Sequence, residues 1–431
     1  MYAVIMAGGK GTRIKSLEPN LPKPMIKICD KPVLEHQINS LKNSGITDIV
    51  LVIGYLGDKI KEYFKDGKEF GVNITYINEE EPLGTAGSLY YLKDRKDDDF
   101  ILVFGDVLFD VDFERFIKFH QNNKAYITLL VHPNSHPFDS DVLIVDNKKV
   151  MNILSKNEPR NYYFMNLVNS GIYCINKKVL DYFKEPKKLD LEKDIISHYM
   201  SEKLVYAYRS TEYVKDMGTP ERMNQVTEDF KKGLVNSKNL KLKQKCIFVD
   251  RDGTLNDAND YVRKLEDFKL YPGIEDSIKK INESGYLVIC ITNQPVISRG
   301  ECSRNMVEKM HLKLGMLLGE KGAYLDDLVY CPHHPDKGFV GEIESLKIEC
   351  DCRKPRTGMI DKMVRMYNID VNQSWFIGDM TVDVKTGKNA KLKTILVETG
   401  FGGSDKKFLD KPDYKAKDFS EAVNIILEGR K

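Results

Sequence analysis

The sequence predicts an α/β protein of two domains, because the chain twice begins a strand that runs into a polar turn. The first apolar run, Tyr2–Met6, leads straight into glycines, and the second, Cys246–Val249, leads into a pair of aspartates in mid-chain. Short apolar runs of this kind form buried strands, and open α/β sheets bind ligands just beyond such strands. A Lys/Asn/Ser-rich stretch lies between the halves. We therefore predict domains over residues 1–233 and 245–431, joined by a linker over residues 234–244.

The composition excludes several classes of protein. The 431 residues carry 66 Lys+Arg against 64 Asp+Glu, and this balance gives no reason to expect a nucleic-acid or membrane partner. No window approaches the roughly 18 apolar residues of a membrane span, and the N-terminal run reads as a first strand, not as a signal peptide. Eight cysteines in such a chain predict reduced thiols, with metal binding as the exception, and a cytoplasmic protein. The oligomeric state, a homo-oligomer included, stays open.

The turn after the first strand is rich in glycine and positive charge, in the order Ala7-Gly8-Gly9-Lys10-Gly11-Thr12-Arg13. Glycines let backbone N–H groups approach a polyphosphate closely, and the two basic side chains add charge-assisted contacts. A glycine-rich turn alone is weak support, because many tight turns look like it. Further on, two prolines flank Lys23 and stiffen the backbone around it. Such a segment can aim one ammonium at a phosphate, or it can be an ordinary loop with a solvated lysine.

Together these residues resemble the GGxGTR…PKP signature of the sugar-1-phosphate nucleotidylyltransferases. The resemblance covers roughly residues 1–230 and implies a Rossmann-like nucleotidyltransferase α/β/α fold. It also implies roles for further residues: a loop for the base and sugar at Pro82 and Gly84, sugar contacts at Glu158, Asn169 and Gly171, and metal-binding aspartates at Asp106 and Asp216.

The implied reaction suits these residue types. A sugar 1-phosphate attacks the α-phosphorus of a nucleoside triphosphate, and pyrophosphate leaves. Because both reactants are polyanions, catalysis is mostly charge neutralisation and alignment. Arg13 and Lys23 would stabilise the reacting phosphates, while Asp106 and Asp216 would hold Mg²⁺. Taken singly, either aspartate could be a surface or capping residue. Val107 stands where many family members have asparagine, and the identity of the base is not legible.

The second half begins with Asp250 and Asp252, which follow a strand and point the same way into its crevice, although a surface turn would look similar. A second apolar run, residues 286–291, ends in Thr292 and Asn293. These motifs resemble those of haloacid dehalogenase-type phosphatases. The resemblance implies that Asp250 is the nucleophile and forms an aspartyl-phosphate, while Asp252 protonates the leaving alcohol and later activates water. Thr292 and Asn293 would hold the phosphoryl group.

The remaining motifs of that family follow in order. Lys354 resembles the lysine that neutralises the nucleophile and the phosphate, and Asp379 resembles the aspartate that completes the Mg²⁺ site with Asp250 and Asp252, with support from Asp383. Substrate contacts are expected from Arg299 and Arg353. Met380 stands where a basic residue is common.

Three thiols and an imidazole form the strongest local signal. Cys331, His333, Cys350 and Cys352 have the ligand set of a closed tetrahedral Zn²⁺ site. The alternative, that they are buried small hydrophobes, fits poorly with three cysteines beside one CPHHP loop. His333 is preferred to His334 because the resembling subfamily uses Cys-x-His. The metal would be structural and pin a long loop over the active site in place of a large cap domain, on a Rossmannoid fold.

The order DRDGT, ITNQ, CPHHP, CDCRKP, GDM resembles one subfamily, the D-glycero-D-manno-heptose-1,7-bisphosphate 7-phosphatases, over residues 245–403; histidinol-phosphate phosphatases share the zinc loop. The two halves would then catalyse consecutive steps: heptose 1,7-bisphosphate loses its 7-phosphate, and heptose 1-phosphate receives a nucleotide, expected from GTP by pathway analogy. One alternative joins a mannose- or glucose-1-phosphate nucleotidyltransferase to a histidinol-phosphate-type phosphatase. A non-catalytic sugar-nucleotide sensor is disfavoured because every catalytic motif residue is present.

Overall fold

The computed structural model describes residues 1–9, 20–258 and 261–429. Spatial proximity divides the chain into two units. The first holds residues 1–132, 143–154 and 169–240, and the second holds residues 133–142, 155–168 and the chain from 241 onward. The division at 240/241 lies inside the expected linker, whereas two short segments of the first half group with the second unit. The limits 1–233 and 245–431 stay a prediction.

The first half contains thirteen strands and six α-helices in the described ranges. The strands are β1 (Tyr2–Met6), β2 (Lys27–Ile28), β3 (Lys31–Pro32), β4 (Asp48–Ile53), β5 (Asn73–Asn78), β6 (Asp99–Phe104), β7 (Val107–Asp110), β8 (Ile127–His132), β9 (Val142–Asp146), β10 (Lys149–Leu154), β11 (Val168–Asn176), β12 (Val205–Arg209) and β13 (Tyr213–Asp216). The helices are α1 (Val33–Asn43), α2 (Gly57–Phe64), α3 (Phe113–Asn122), α4 (Ser197–Ser201), α5 (Pro220–Lys231) and α6 (Leu234–Ser237), with a π-helical turn at Leu191–Ile196.

The main sheet of the first unit has the order β5-β4-β1-β6-β11-β8-β12-β10-β9. Its first four strands are parallel, and β11 pairs antiparallel with β6. The strand order reverses between β1 and β6, which is the point where open α/β sheets leave a crevice for ligands. The glycine turn follows β1 and Asp106 follows β6. Because these two strands are parallel neighbours, the glycine turn and Asp106 start from the same edge of the sheet.

The second unit alternates strands and helices, as a parallel sheet requires. Its strands are β14 (Cys246–Val249), β15 (Leu287–Asn293), β16 (Asp327–Cys331), β17 (Trp375–Gly378), β18 (Lys393–Val397) and β19 (Tyr414–Ala416). Its helices are α7 (Ile274–Glu283), α8 (Arg304–Glu320), α9 (Gly358–Tyr367), α10 (Thr381–Asn389) and α11 (Phe419–Glu428). Thr292 and Asn293, expected just beyond a strand, are the last two residues of β15.

All neighbours in the order β16-β15-β14-β17-β18-β19 are parallel. Every residue of β14 is buried, since helices cover both faces of such a sheet. The order reverses between β14 and β17. Asp250 follows β14 and Asp379 follows β17, so the same rule that places the first crevice places the two acidic motifs side by side.

The stretch expected to be a polar linker is ordered by two apolar residues. Val235 lies in α6 and is 2% exposed, and Leu240 is 1% exposed. The Leu240 N–H donates to Glu212 Oε1 at 3.0 Å. Four residues on, Gln244 pairs with the backbone of Asn368 and Asp370 in the second unit.

No helix in the described part of the chain is long and apolar enough to cross a membrane.

Candidate active sites

In the first unit, Lys23 and Asp106 meet at the carboxyl edge of the sheet. The Lys23 Nζ lies 2.5 Å from Asp106 Oδ2. Pro24 is buried, and Gly105 approaches it so closely that a Cβ there would lie 3.0 Å from the proline ring and from the Met6 carbonyl. The stiff proline segment thus packs on the ends of β1 and β6 and aims its ammonium at the aspartate that follows β6.

Asp216 is held beside Asp106 by a small antiparallel pair of strands. It pairs in register with Val107, and the Met217 N–H donates to the Asp106 carbonyl at 3.0 Å. Arg222 Nη1 bonds both Asp216 carboxylate oxygens, at 2.8 and 2.7 Å. Burial alone would raise the pKa of Asp216, but the bonds and charge of Arg222, with the charge of Lys23, lower it below its usual value. The carboxylate is therefore kept ionised.

The expected sugar-contacting residues do not all fall in one unit. Asn169 Nδ2 donates to Tyr173 Oη and to Glu192 Oε1, each at 2.7 Å, and its Oδ1 accepts from the Gly171 N–H. Gly171 has a positive φ of 79° and lies over the Phe104 ring. Glu158 is exposed and belongs to a segment of the second unit.

The expected base-and-sugar loop is exposed at Pro82 and fixed at Gly84. Gly84 has a φ of 78°, and a Cβ there would lie 2.4 Å from the Leu189 carbonyl oxygen. That same oxygen accepts from the Thr85 and Ala86 N–H groups. Of the glycine turn, Gly8 lies beside Glu79, where a Cβ would come within 2.8 Å of Glu79 Oε2, and Gly9 is exposed. Gly11, Thr12 and Arg13 lie outside the described residues.

In the second unit, three buried carboxylates meet at the reversal point of the sheet. Asp250, Asp379 and Asp383 each place a carboxylate oxygen within 4.8 Å of the others. Burial, together with the neighbouring acidic charges, raises the pKa of Asp250 to about 7 and that of Asp379 to about 8. Burying like charges together is unfavourable unless a cation or a proton joins them. The cluster fits a hard divalent cation, since it offers only carboxylate oxygens.

Lys354 supplies the positive charge of this cluster. Its Nζ lies 2.8 Å from Asp250 Oδ1 and donates to Asp383 Oδ1 at 2.6 Å. Burial alone would lower the pKa of Lys354, but the charges of Asp250 and Asp383 raise it above its usual value. Asp383 also accepts from the Met380 N–H at the start of α10. The ammonium is thus fixed between the expected nucleophile and the carboxylate that caps α10.

Asn293 holds the backbone of Lys354 and does not point freely into the site. Its Nδ2 donates to the Lys354 carbonyl at 3.2 Å, and its Oδ1 accepts from the Lys354 N–H at 3.0 Å. Thr292 Oγ1 accepts from Gln294 Nε2 at 3.1 Å. Asn293, at the end of β15, therefore positions Lys354 through its backbone.

The Asp252 side chain is not one of the three clustered carboxylates. Its oxygens accept from Arg251 and from Gln294 Nε2, the latter at 2.8 Å. Asp252 as a Mg²⁺ ligand stays a prediction, and the described cluster adds Asp383, which was expected only to support the site.

Two glycines enclose Asp379. A Cβ on Gly253 would lie 2.2 Å from Asp379 Oδ2, and one on Gly400 would lie 2.3 Å from the same oxygen. Both glycines have positive φ, 79° and 57°. The Phe401 N–H donates to Asp379 Oδ2 at 2.8 Å.

The four expected metal ligands of the cysteine loop lie together. Cys352 Sγ is 3.3 Å from the sulfurs of Cys331 and Cys350 and from His333 Nδ1, and Cys331 and Cys350 are 3.6 Å apart. The hydrogen bonds from Cys331, Cys350 and His333 lower the pKa of Cys352. Cys331 ends β16 and pairs in register with Asn293, so the cluster is attached directly to the active-site strand.

Both expected substrate arginines are tied to this loop. Arg353 Nη1 donates to the His333 carbonyl at 3.1 Å. Arg299 Nη2 lies 3.1 Å from His334 Nε2, with its guanidinium over the Phe339 ring at 4.8 Å. His334 thus contacts an arginine and not the thiols. His311 was not singled out from the sequence, and Arg251 and Gln294 were noted only as members of the DRDGT and ITNQ motifs, because only folding brings α8 against the aspartate turn.

Comparison with known proteins relates the two halves of the chain to different families. The model of the family described as nucleotidyl transferase matches residues 2–233, and the HAD-hydrolase-like family model matches residues 351–422. The chain thus belongs to the nucleotidyl transferase family in its first half, and its second half carries a haloacid dehalogenase (HAD)-like domain.

More particular relatives exist for each half. A D-glycero-beta-D-manno-heptose-1,7-bisphosphate 7-phosphatase of Pasteurella multocida is 39% identical over 158 residues, which are 36% of this chain and 83% of that protein. Mannose-1-phosphate guanyltransferase beta-A of Xenopus laevis is 30% identical over 226 residues, 51% of this chain; the chain spans 62% of that protein's length. The crystal structure of HddC from Yersinia pseudotuberculosis covers 53% of this chain and all of its own, at 27% identity and a TM-score of 0.47.

Proposed function

We propose that the chain is a bifunctional enzyme of nucleotide-activated heptose biosynthesis. Its second half removes the 7-phosphate of heptose 1,7-bisphosphate, and its first half transfers a nucleotidyl group, GMP from GTP, to heptose 1-phosphate with release of pyrophosphate. The observation that carries this proposal is the likeness of the second half to a heptose bisphosphate phosphatase over 83% of that relative. The product of that reaction is a sugar 1-phosphate, which is what a nucleotidyltransferase consumes. We place the enzyme in the cytoplasm, because its proposed substrates are phosphorylated sugars and nucleotides.

In the transferase half, Lys23 would neutralise the reacting phosphates together with Arg13, which lies outside the described residues. The ion pair of the Lys23 ammonium with Asp106, at 2.5 Å, supports this role. Asp106 and Asp216, joined through paired strands, fit Mg²⁺ because both offer carboxylate oxygens; bound there, the ion would neutralise charge on the triphosphate. The guanylyl choice is supported by the guanyltransferase relative.

In the phosphatase half, Asp250 would attack phosphorus and Lys354 would neutralise both the nucleophile and the phosphoryl oxygens. Asp250, Asp379 and Asp383 fit Mg²⁺, since burial and mutual repulsion leave the cluster short of positive charge. Bound there, the ion would offset the charge of the phosphoryl group. Asp252 would give a proton to the leaving oxygen and then take one from water.

The cysteine cluster fits structural Zn²⁺. A tetrahedral zinc with Zn–S bonds of about 2.3 Å places its sulfur ligands about 3.8 Å apart. The sulfur separations here, 3.3 to 3.6 Å, come close to that value without a disulfide. Because Arg353 binds the His333 carbonyl and Cys331 ends β16, the metal would fix the loop that carries substrate contacts.

Two variants of the full chain test the assignment. Asp250→Asn removes the anionic nucleophile with little change of shape, so heptose bisphosphate should persist while added heptose 1-phosphate still yields nucleotide sugar. Lys23→Ala should do the reverse and lower nucleotidyl transfer by about 10²–10³. Pyrophosphate release with a panel of triphosphates would identify the base. A wild-type chain that ignores heptose bisphosphate and prefers histidinol phosphate would refute the heptose assignment. Loss of transfer in Asp250→Asn would mean that the two reactions share one composite site.

A further inference from the structure

Arg251 stands between the two aspartates of the phosphatase motif and is fully buried, at 0% exposure. Its Nε and Nη2 donate to Asp252 Oδ1 at 3.0 and 2.8 Å, and Nη2 also donates to Oδ2 at 2.8 Å. The guanidinium lies 5.5 Å from the centre of the Phe268 ring. Removing such a cation from water is unfavourable, so its position depends on how completely its donors are satisfied.

The remaining donor group of the guanidinium, Nη1, finds its acceptor in a histidine that lies outside the sequence motifs. Arg251 Nη1 lies 3.0 Å from His311 Nε2, on helix α8. Arginine has donors and no acceptor, so His311 Nε2 must accept, and the imidazole is neutral with its proton on Nδ1. Burial and the charge of Arg251 lower the pKa of His311 well below its usual value, in agreement with a neutral ring. The ring packs against Tyr330 with its centre 5.1 Å away.

We propose that His311 is a positioning residue of the phosphatase reaction, which fixes Arg251 and through it sets the orientation of Asp252. The inference rests on the proposed acid/base role of Asp252. Asp252 accepts hydrogen bonds from Arg251 and from Gln294. A loose guanidinium would leave the carboxylate without a defined starting position beside the nucleophile.

The orientation of Asp252 matters in the two steps of the reaction in which it gives or takes a proton. In the first step an Asp250 oxygen bonds to phosphorus, the bond from phosphorus to the leaving oxygen breaks, and the Asp252 proton goes to that oxygen. In the second, Asp252 takes a proton from water, the water oxygen bonds to phosphorus, and the bond to Asp250 breaks to release phosphate. A poor leaving group needs the proton in the first step, whereas p-nitrophenolate does not.

The test compares His311→Leu with wild type in the full chain, on heptose 1,7-bisphosphate and on p-nitrophenyl phosphate. We expect kcat/KM for the sugar phosphate to fall about 10- to 100-fold, part of the 10²–10⁴ that a general acid contributes, and that for the aryl phosphate to change by less than about threefold. His311→Gln, whose amide oxygen can accept from Nη1, should recover most of the loss. Equal losses on both substrates, or no recovery in His311→Gln, would overturn the positioning role.

Met310→Ala is the matched control, because Met310 is the preceding residue of α8 and packs in the apolar core. It should lower stability without changing the ratio of the two kcat/KM values. A second measurement is the side-chain ¹H–¹⁵N spectrum of the wild-type chain, in which the signal that is absent from His311→Gln belongs to His311. A neutral Nδ1–H form supports the proposal, and a cationic or Nε2–H form contradicts it. A wild type that hydrolyses no phosphomonoester would sink the proposed function itself, a result distinct from equal losses in an active enzyme.

Discussion

Replacing Lys354 by methionine removes the positive charge from a group of buried carboxylates while keeping most of the side-chain volume. The ammonium contacts Asp250 at 2.8 Å and Asp383 at 2.6 Å. Loss of one preorganised charge on the transferring group typically costs about 10²–10³ in rate, or about 3–4 kcal/mol. In addition, the pKa of Asp250, already about 7, should rise, because the charge of Lys354 is what lowers it most. We therefore expect phosphatase activity to fall by at least about 10².

The same substitution should lower stability in a pH-dependent way. Breaking a buried ion pair costs about 3–5 kcal/mol when the partner stays charged. Because the folded-state pKa values of Asp250 and Asp379 are raised, their ionisation reduces stability as the pH rises from about 4 through 7 to 8. The variant should therefore lose more stability at pH 8 than at pH 6 in a metal-chelating buffer.

The chain offers its own probe for this measurement. It has one tryptophan, and Trp375 lies in β17 of the phosphatase unit. Tryptophan fluorescence during urea unfolding thus reports on that unit, while nucleotidyl transfer reports on the other. Lys347→Met is the control, since Lys347 is also buried but pairs with Glu342 at 3.4 Å. Phosphatase activity within fivefold of wild type in Lys354→Met, or equal loss in both variants, would refute the reasoning.

Three further results are expected. Metal analysis of Cys350→Ser, Cys352→Ser should show one zinc per chain lost, with phosphatase stability reduced and transfer unchanged; equal zinc content would exclude the site. Burial raises the pKa of Glu212 to about 7, so its ionisation should cost up to about 3 kcal/mol as the pH rises from about 4.5 through 7. Glu212→Gln should flatten that fall, measured by hydrogen exchange of the first unit, and an unchanged pH profile would contradict it. Gly400→Ala should abolish phosphatase activity, because its Cβ would meet the Asp379 carboxylate; retained activity would show that the turn relaxes.

Much of both sites could be predicted because parallel sheets place their motifs by rule. Each motif follows a strand, and the carboxyl ends of parallel strands lie at the same edge of the sheet. The sequence alone therefore predicts that Asp250 and Asp379 lie close together. The cysteine ligands could be predicted because softness and spacing identify a thiolate site locally.

What the sequence did not predict depends on contacts across the fold. Which partner a buried side chain finds, as Asn293 does with Lys354 and Arg251 with His311, is set by packing of distant segments. The grouping of residues 133–142 and 155–168 with the second unit has no local signal either. Nor does the sequence of the expected linker indicate that Val235 and Leu240 are buried, because two apolar residues in a polar stretch give little local signal.

The enclosure of Asp379 by Gly253 and Gly400 bears on how this enzyme can change over evolutionary time. A methyl group at either glycine would overlap the carboxylate, and the two backbones approach so closely that a Cβ on Gly400 would lie 2.6 Å from the Gly253 Cα. A single substitution by a residue with a Cβ is therefore disfavoured at each glycine, and a change at one glycine does not make room for a Cβ at the other. Changes in substrate preference are then expected outside the turn around Asp379, which stays fixed.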